Sequence, residues 1–182
     1  MDTLLTPDRL VGIAVDLVNT RTAEPERLTS VAALHAFLVA HDEPTPIDVD
    51  ERDLAEVRAV RERLRPVFGA SAPDAARLLN DLLREYAVRP YLTEHGETPW
   101  HLHVSQPDAR WAEWLAAGAA LALAGFAAGH GFGALSVCAA GDCERVFVNA
   151  AAKRPRRFCT PTCSSRTRVA SYRARRASGG AA

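Results

Sequence analysis

The sequence predicts a mainly α protein with a small β-hairpin (α+β), a helical N-terminal body followed by a small C-terminal zinc-knuckle or treble-clef-like module. Three observations predict it. Apolar residues recur at helical spacing in successive segments between residues 10 and 126. The period changes only around residues 91–104. All four cysteines fall within residues 138–163. With 182 residues, 48% of them hydrophobic and 24% charged, the chain has material for one ordinary domain plus a small appendage.

The elements follow in order. Residues 10–20 are apolar enough for a buried helix or strand, and Leu10, Ile13, Ala14, Leu17 and Val18 recur at helical spacing, which favours helix. Thr29 and Ser30 are N-cap candidates for a helix through Leu38, and Pro44 and Pro46 end that segment. Asp50 is placed to cap the next helix, near residues 51–65, with Leu54, Val57, Val60 or Arg61, and Leu64 on its stripe, and Pro66 closes it. Gly69 and Pro73 bracket a turn, and Pro73 opens a helix carrying Leu78, Leu79, Leu82 and Leu83. Residues 91–93 and 100–104 flank a turn-rich stretch and read as a two-stranded hairpin. Pro107 and Asp108 start a long helix through Trp111, Trp114, Leu115, Leu121, Leu123 and Phe126, ending at Gly129-His130-Gly131. The natural boundary is there, giving a body of residues 1–131 and a metal module of residues 132–182.

The formal net charge of zero is a cancellation. Residues 1–137 carry 12 Arg against 20 Asp and Glu, whereas residues 138–182 carry 10 Arg and Lys against Asp142 and Glu144. Such asymmetry assigns two tasks to one chain and a polyanion to the basic part. It also allows the acidic body to dock on the basic tail. The first residues lack a basic segment and a long apolar run, so no signal peptide is expected and the expected location is cytoplasmic. The longest apolar stretch, residues 114–129, falls short of the ~20 residues a bilayer requires, so a buried central helix is expected and no membrane partner.

The cysteines are spaced Cys138-x4-Cys143, then fifteen residues, then Cys159-x3-Cys163. Two close pairs separated by ~15–20 residues are how a tetrahedral zinc ion is caged, each pair turning on a short knuckle. Gly141 loosens the first knuckle, and Pro161 suits the second, just before a helix whose N-terminus lies near Cys163. Four thiolates leave no open position for water, which makes the single ion structural and not catalytic. The local negative charge is offset by the helix N-terminus and by Arg156, Arg157 and Arg166. Residues 145–148 are β-prone and read as one strand of a hairpin. Val137, Val146, Phe147, Phe158 and Tyr172 are nearly all the core this module has, so zinc must supply much of its folding energy. The alternative, unrelated buried or disulfide-paired cysteines, is left for the geometry to decide.

After Cys163 the chain reads as a basic helix, with Arg166, Val169 and Arg173 on one side and Arg168, Tyr172, Arg175 and Arg176 on an adjoining one. Arginine's planar fork suits phosphate. The bland alternative is a solvated helix whose end favours cations, but ten basic residues against two acidic ones exceed that need.

The sequence resembles the CGNR zinc-finger proteins that carry an N-terminal ABATE domain, a group associated with stress-induced transcription regulation. The C-terminal likeness lies in Cys138-x4-Cys143, Arg145-Val146-Phe147-Val148-Asn149, Arg156-Arg157-Phe158-Cys159, Cys163 and Tyr172-Arg173-Ala174-Arg175. The N-terminal likeness is Val15-Asp16-Leu17-Val18-Asn19-Thr20, and nearly the whole chain is covered in order. The naming motif Cys-Gly-Asn-Arg stands here as Cys163-Ser164-Ser165-Arg166, with Phe158 in place of a Trp and Asn149 in place of an Asp. The resemblance implies zinc bound at the four cysteines and a DNA partner.

Other candidates are weaker. His95, His101 and His103 fall on the predicted hairpin, where they serve as metal ligands or, more simply, as a polar sheet face. Asp16, Asn19 and Thr20 could line an effector pocket or satisfy backbone groups at the end of the first helix. Trp100, Trp111 and Trp114 could form an effector-binding aromatic cluster, although the spacing of the last two favours core packing. No catalytic motif is visible, so an enzyme is not expected.

The leading expectation is therefore a transcription regulator. Its body senses a small-molecule or protein effector, and its zinc module meets DNA through Arg154, Arg156, Arg157, Arg166, Arg168, Arg173, Arg175 and Arg176. The finger is small for tight specific binding, which is the reason to expect a homodimer. The alternative is a zinc-dependent protein-interaction or thiol redox-switch module without direct DNA binding.

Overall fold

The first helix, α1 (Pro7–Val18), forms on the stripe of Leu10, Ile13, Ala14, Leu17 and Val18, all buried. The computed structural model describes residues 7–22, 25–43, 45–95, 98–106, 108–150 and 155–179. Helix α2 (Val31–Ala40) starts where Ser30 accepts a hydrogen bond from the Ala33 amide, so Ser30 and not Thr29 is the cap. Helix α3 (Glu51–Leu64) opens on a reciprocal capping box between Asp50 and Asp53 and runs into a single 3-10 turn at Arg65–Val67. Both Val60 and Arg61 are buried on its inner face.

Gly69 then takes a left-handed φ of 77° and donates its amide to the Leu135 carbonyl at 3.0 Å. A Cβ there would also meet Val137 Cγ2 at 3.0 Å, so only glycine suits the position. Helix α4 (Ala72–Glu85) is capped by Ser71 and carries a proline in its first turn. Strands β1 (Tyr91–His95) and β2 (Thr98–His103) form the expected hairpin, an antiparallel pair with Thr93 opposite His101 and an irregularity before His95.

Helix α5 (Trp111–His130) is the centre of the body and packs against α1, α3 and α4. It starts at Trp111, not at Pro107-Asp108, and Pro107 lies outside the described residues. Arg110 stands at the cap position, but its guanidinium bridges to Asp50 and Asp53, at 2.9 Å each, and so ties α5 to the start of α3. At 20 residues α5 is long and apolar enough to cross a bilayer, which corrects the expectation from length. Its packing explains its composition instead. Buried alanines let neighbouring helices close in, and Gly118 leaves only 3.1 Å between a would-be Cβ and Leu10 of α1.

Strands β3 (Leu135–Val137) and β4 (Val146–Val148) pair antiparallel, and α6 (Pro161–Gly179) ends the described chain. Leu135 and Val146 belong to the hydrophobic core of the body. This corrects the expected core of the metal module. Val146 serves the body, while Val137 at 42% and Tyr172 at 54% are exposed. Phe147 is buried among the cysteines with Ala140, and Phe158 packs against them half-buried.

Candidate metal centre and its junction with the helical body

The turn between β3 and β4 presents Cys138 and Cys143, and the start of α6 presents Cys159 and Cys163. This hairpin knuckle plus helix is the treble-clef arrangement that the spacing predicted. The Cys143 amide donates to Ala140 O at 3.0 Å, tightening the first knuckle. Thr160 caps the helix, its hydroxyl accepting from the Cys163 amide at 3.2 Å.

All four sulfurs lie within 4.8 Å of one another, and Cys159 Sγ is 3.7 Å from both Cys143 Sγ and Cys163 Sγ. A tetrahedron with Zn–S bonds of ~2.3 Å puts its sulfurs about 3.8 Å apart. A disulfide requires about 2.05 Å, so these are four free thiols around a common centre. The donor set and its spacing fit one structural zinc ion, held by Cys138, Cys143, Cys159 and Cys163. The ion would supply the cross-link that joins knuckle to helix.

The electrostatics agree. Burial pushes the Cys138 thiol up, but amide donors from Cys159 and Ala140 outweigh it and bring Cys138 down to about 7. Burial and the neighbouring thiols push Cys159 up to about 12, and burial raises Cys143. Four thiolates cannot crowd together without a cation. The Cys159 amide points at Cys138 Sγ from 3.4 Å, and Arg166 reaches Cys163 Sγ at 3.8 Å while pairing with Asp142 at 2.8 Å.

The centre is joined to the body by a side chain. Asn19, 3% exposed at the end of α1, donates Nδ2–H to Val146 O at 2.9 Å and accepts from the Val146 amide at 2.9 Å. Its carboxamide thus pairs with β4 as a neighbouring strand would. Arg65 reinforces the joint, donating to Val18 O at 2.6 Å, to Arg21 O, and to Glu144 O at 3.3 Å.

A family model for the CGNR zinc finger matches residues 135–176. A second, ABATE, described as "Putative stress-induced transcription regulator", matches residues 12–130. The chain belongs to the ABATE family and carries a CGNR zinc finger. Neither is an enzyme family. A search of curated proteins finds no match to the chain.

The ABATE signature at residues 15–20 acquires a physical meaning. Leu17 and Val18 fill the core, and Asn19 holds the CGNR finger's strand. Thr20 donates to Leu17 O at 2.6 Å and accepts from Arg61 at 3.0 Å. Backbone satisfaction was one of the two readings of these residues, but the backbone served by Asn19 belongs to the finger. Asp16 is 58% exposed on its side chain, with His41 Nε2 at 3.8 Å. Asp16, Asn19 and Thr20 do line one open cavity of about 420 Å³, together with Arg27, Phe37 and Arg145.

Sequence reasoning missed a second clamp. Asn149, buried, accepts from the Arg156 amide at 3.0 Å and donates to Arg156 O at 3.1 Å. An Asp at this position would accept but could not donate, so Asn gives the two-way bond. Replacing Asn19 with Ala should strand the Val146 amide and carbonyl and cost about 2–6 kcal/mol, at roughly 1–3 kcal/mol per buried group left unpaired. Urea denaturation of Asn19→Ala checks this, and a loss under about 1 kcal/mol would mean water replaces the clamp.

The other predicted residues separate. Arg156, Arg157, Arg166, Arg168, Arg173, Arg175 and Arg176 are exposed. Arg154 lies outside the described residues. Arg156 also donates to Val148 O at 3.1 Å and sits 5.3 Å from the Phe147 ring centre. The side chains of His95 and His101 likewise lie outside the described residues, while His103 rests against the Tyr91 ring at 5.6 Å. Trp111 and Trp114 pack edge to face at 5.9 Å against the core, with Trp111 donating to Asp48 O at 2.8 Å. Trp100 is exposed on the hairpin, so the three do not form one cluster.

Proposed function

We propose that this protein is a cytoplasmic DNA-binding transcription regulator, in which residues 132–182 form the DNA-contacting finger and residues 1–131 sense an effector. The observation that carries this reading is the helix α6. It leaves the zinc centre with Arg166, Arg168, Arg173, Arg175 and Arg176 exposed, and no acidic residue follows Glu144. A basic helix delivered by a zinc-pinned knuckle suits a DNA groove, and phosphate contacts dominate such binding. Arg156 and Arg157, with Ser164 of the altered CGNR motif, line an open groove of about 380 Å³ beside the start of α6, where a phosphate is favoured by the helix N-terminus. A second copy bound alongside would give so small a finger the affinity that specific sites require.

Fluorescence anisotropy with duplex DNA across a salt series tests this. Five to eight engaged arginines give a slope of about −5 to −7 in log K against log salt. Replacing Arg173, Arg175 and Arg176 together by Gln should flatten the slope by about 3 units, at ~0.9 per phosphate lost. A flat response from zinc-loaded protein would refute DNA binding and favour docking on an acidic protein instead.

A further inference from the structure

The cavity of about 420 Å³ at the junction draws on both parts of the chain. Asp16 comes from α1, Arg27 from the segment after it, Phe37 from α2, His41 from the turn that ends α2, and Arg145 from the approach to β4. Its size falls within the ~300–1,000 Å³ of small-ligand sites. Burial depresses the His41 pKa below its ordinary value, so the imidazole is neutral at pH 7. The charged lining is then the carboxylate of Asp16 and the guanidiniums of Arg27 and Arg145. Phe37, with Leu28, Ala33 and Ala36, supplies an apolar wall.

We propose that this cavity binds a small apolar monocarboxylate, its carboxylate held by Arg27 and Arg145 and its body laid against Phe37. The proposal rests on the effector-sensing reading above and gives it a ligand class. A carboxylate suits a lining of two guanidinium forks, whereas a phosphate dianion would face the Asp16 carboxylate with twice the charge. Arginine forks recognise carboxylates bidentately. Arg145 also places the ligand one residue from the Asn19–Val146 clamp, and its carbonyl accepts the Cys138 amide at 2.9 Å. Occupancy is therefore felt at the backbone of a zinc ligand. Two sources share this chemistry, a simple acid and an apolar amino acid whose ammonium would meet Asp16.

The test is a 1H–15N NMR titration of the zinc-loaded full chain with phenylacetate, with L-phenylalanine, and with phenethylamine. Phenylacetate or L-phenylalanine is expected to bind saturably, with Kd between about 10 μM and 1 mM, moving the amides of Asp16, His41, Val146 and Cys138 together. Tighter binding of L-phenylalanine assigns the amino-acid source, and tighter binding of phenylacetate the simple acid. Arg145→Gln should weaken binding at least tenfold (about 1.4 kcal/mol) and Phe37→Ala comparably, while Arg84→Gln, exposed on α4, should not. Zinc content and the remaining spectrum report whether each variant is folded. No saturable shift with either acid up to about 10 mM overturns the proposal. So does binding that Arg145→Gln leaves unchanged, or binding of phenethylamine alone. Carboxylate binding that leaves DNA affinity unaltered upholds the site and refutes the sensing reading. DNA binding without carboxylate binding overturns the site and leaves the DNA-binding reading standing.

Discussion

Purified protein is expected to hold about one zinc ion per chain, and Cys159→Ser to hold none. Cys159 is the hub of the cage. Its sulfur lies 3.7 Å from two of the other three, and its amide points at the third. Serine offers a hydroxyl of much higher pKa and a harder donor, so the tetrahedral set is broken. Structural zinc is worth ~10–16 kcal/mol in isolated fingers near neutral pH, and little else holds this one. Besides the cysteines and Ala140, Phe147 is the buried apolar side chain of its cluster.

The damage should be local. Leu135 and Val146 are held in the body's core and Val146 by Asn19, so β3 and β4 survive while residues 138–144 and 156–179 lose their fold. Limited trypsin digestion would show it as rapid cleavage at Arg156, Arg157 and Arg166, with the body intact. Full zinc content in Cys159→Ser would sink the assignment. Amide donors bring the Cys138 thiol down to about 7, whereas burial pushes up those of Cys143 and Cys159 beside it. Zinc uptake near pH 7 therefore releases protons, and acidification drives the equilibrium back toward metal-free protein.

Arg61→Ala is expected to destabilise the body by about 3–5 kcal/mol, the usual consequence of breaking a buried ion pair. For a chain of this size that is a fall in Tm of roughly 6–20 °C. The Arg61 side chain is 2% exposed and holds Glu26 through two bonds of 2.6 and 2.7 Å, with Thr20 Oγ1 and Glu62 each at 3.0 Å. Alanine empties that volume and removes a donor from Thr20, the residue beside the Asn19 clamp. A fall below about 1 kcal/mol in urea denaturation would show that the pair is no more than a surface contact. The pH dependence has a definite sign. Burial raises Glu26, but Arg61, with the Leu28 amide and Arg58, outweighs it and holds the carboxyl below its ordinary value. A depressed carboxylate stabilises the fold fully above its unfolded pKa and loses that contribution as pH falls through the folded one. The gap between wild type and Arg61→Ala should accordingly be largest at neutral pH and narrow on acidification below about pH 4.

The elements of the body were legible because each depends on local chemistry. Ser30 and Asp50 cap the helices that follow them, Pro73 lies in the first turn of α4, and Gly131, with φ of 80°, stops α5. The zinc cage was legible from spacing, since two knuckles and four thiols have few other uses in so small a module. The start of α5 was misplaced because proline and aspartate are ordinary start signals, whereas here Arg110 anchors the helix by ion pairs to α3. The module's core was misassigned because β-prone residues announce a strand without saying which hydrophobic layer it joins. Val146 and Phe147 are neighbours, yet one packs in the body and the other beside the cysteines.

The sequence by itself determined the helices, the hairpins' existence, the metal ligands and the division of charge, because capping, periodicity and ligand spacing act over a few residues. Only the tertiary structure decided that Asn19 and Val146, 127 positions apart, bond as strand partners. It likewise decided that Arg61 is sealed against Glu26, and that Arg145 shares a cavity with Asp16. A carboxamide or a guanidinium looks the same in sequence whether water or backbone satisfies it. The partner is chosen only when burial removes the water.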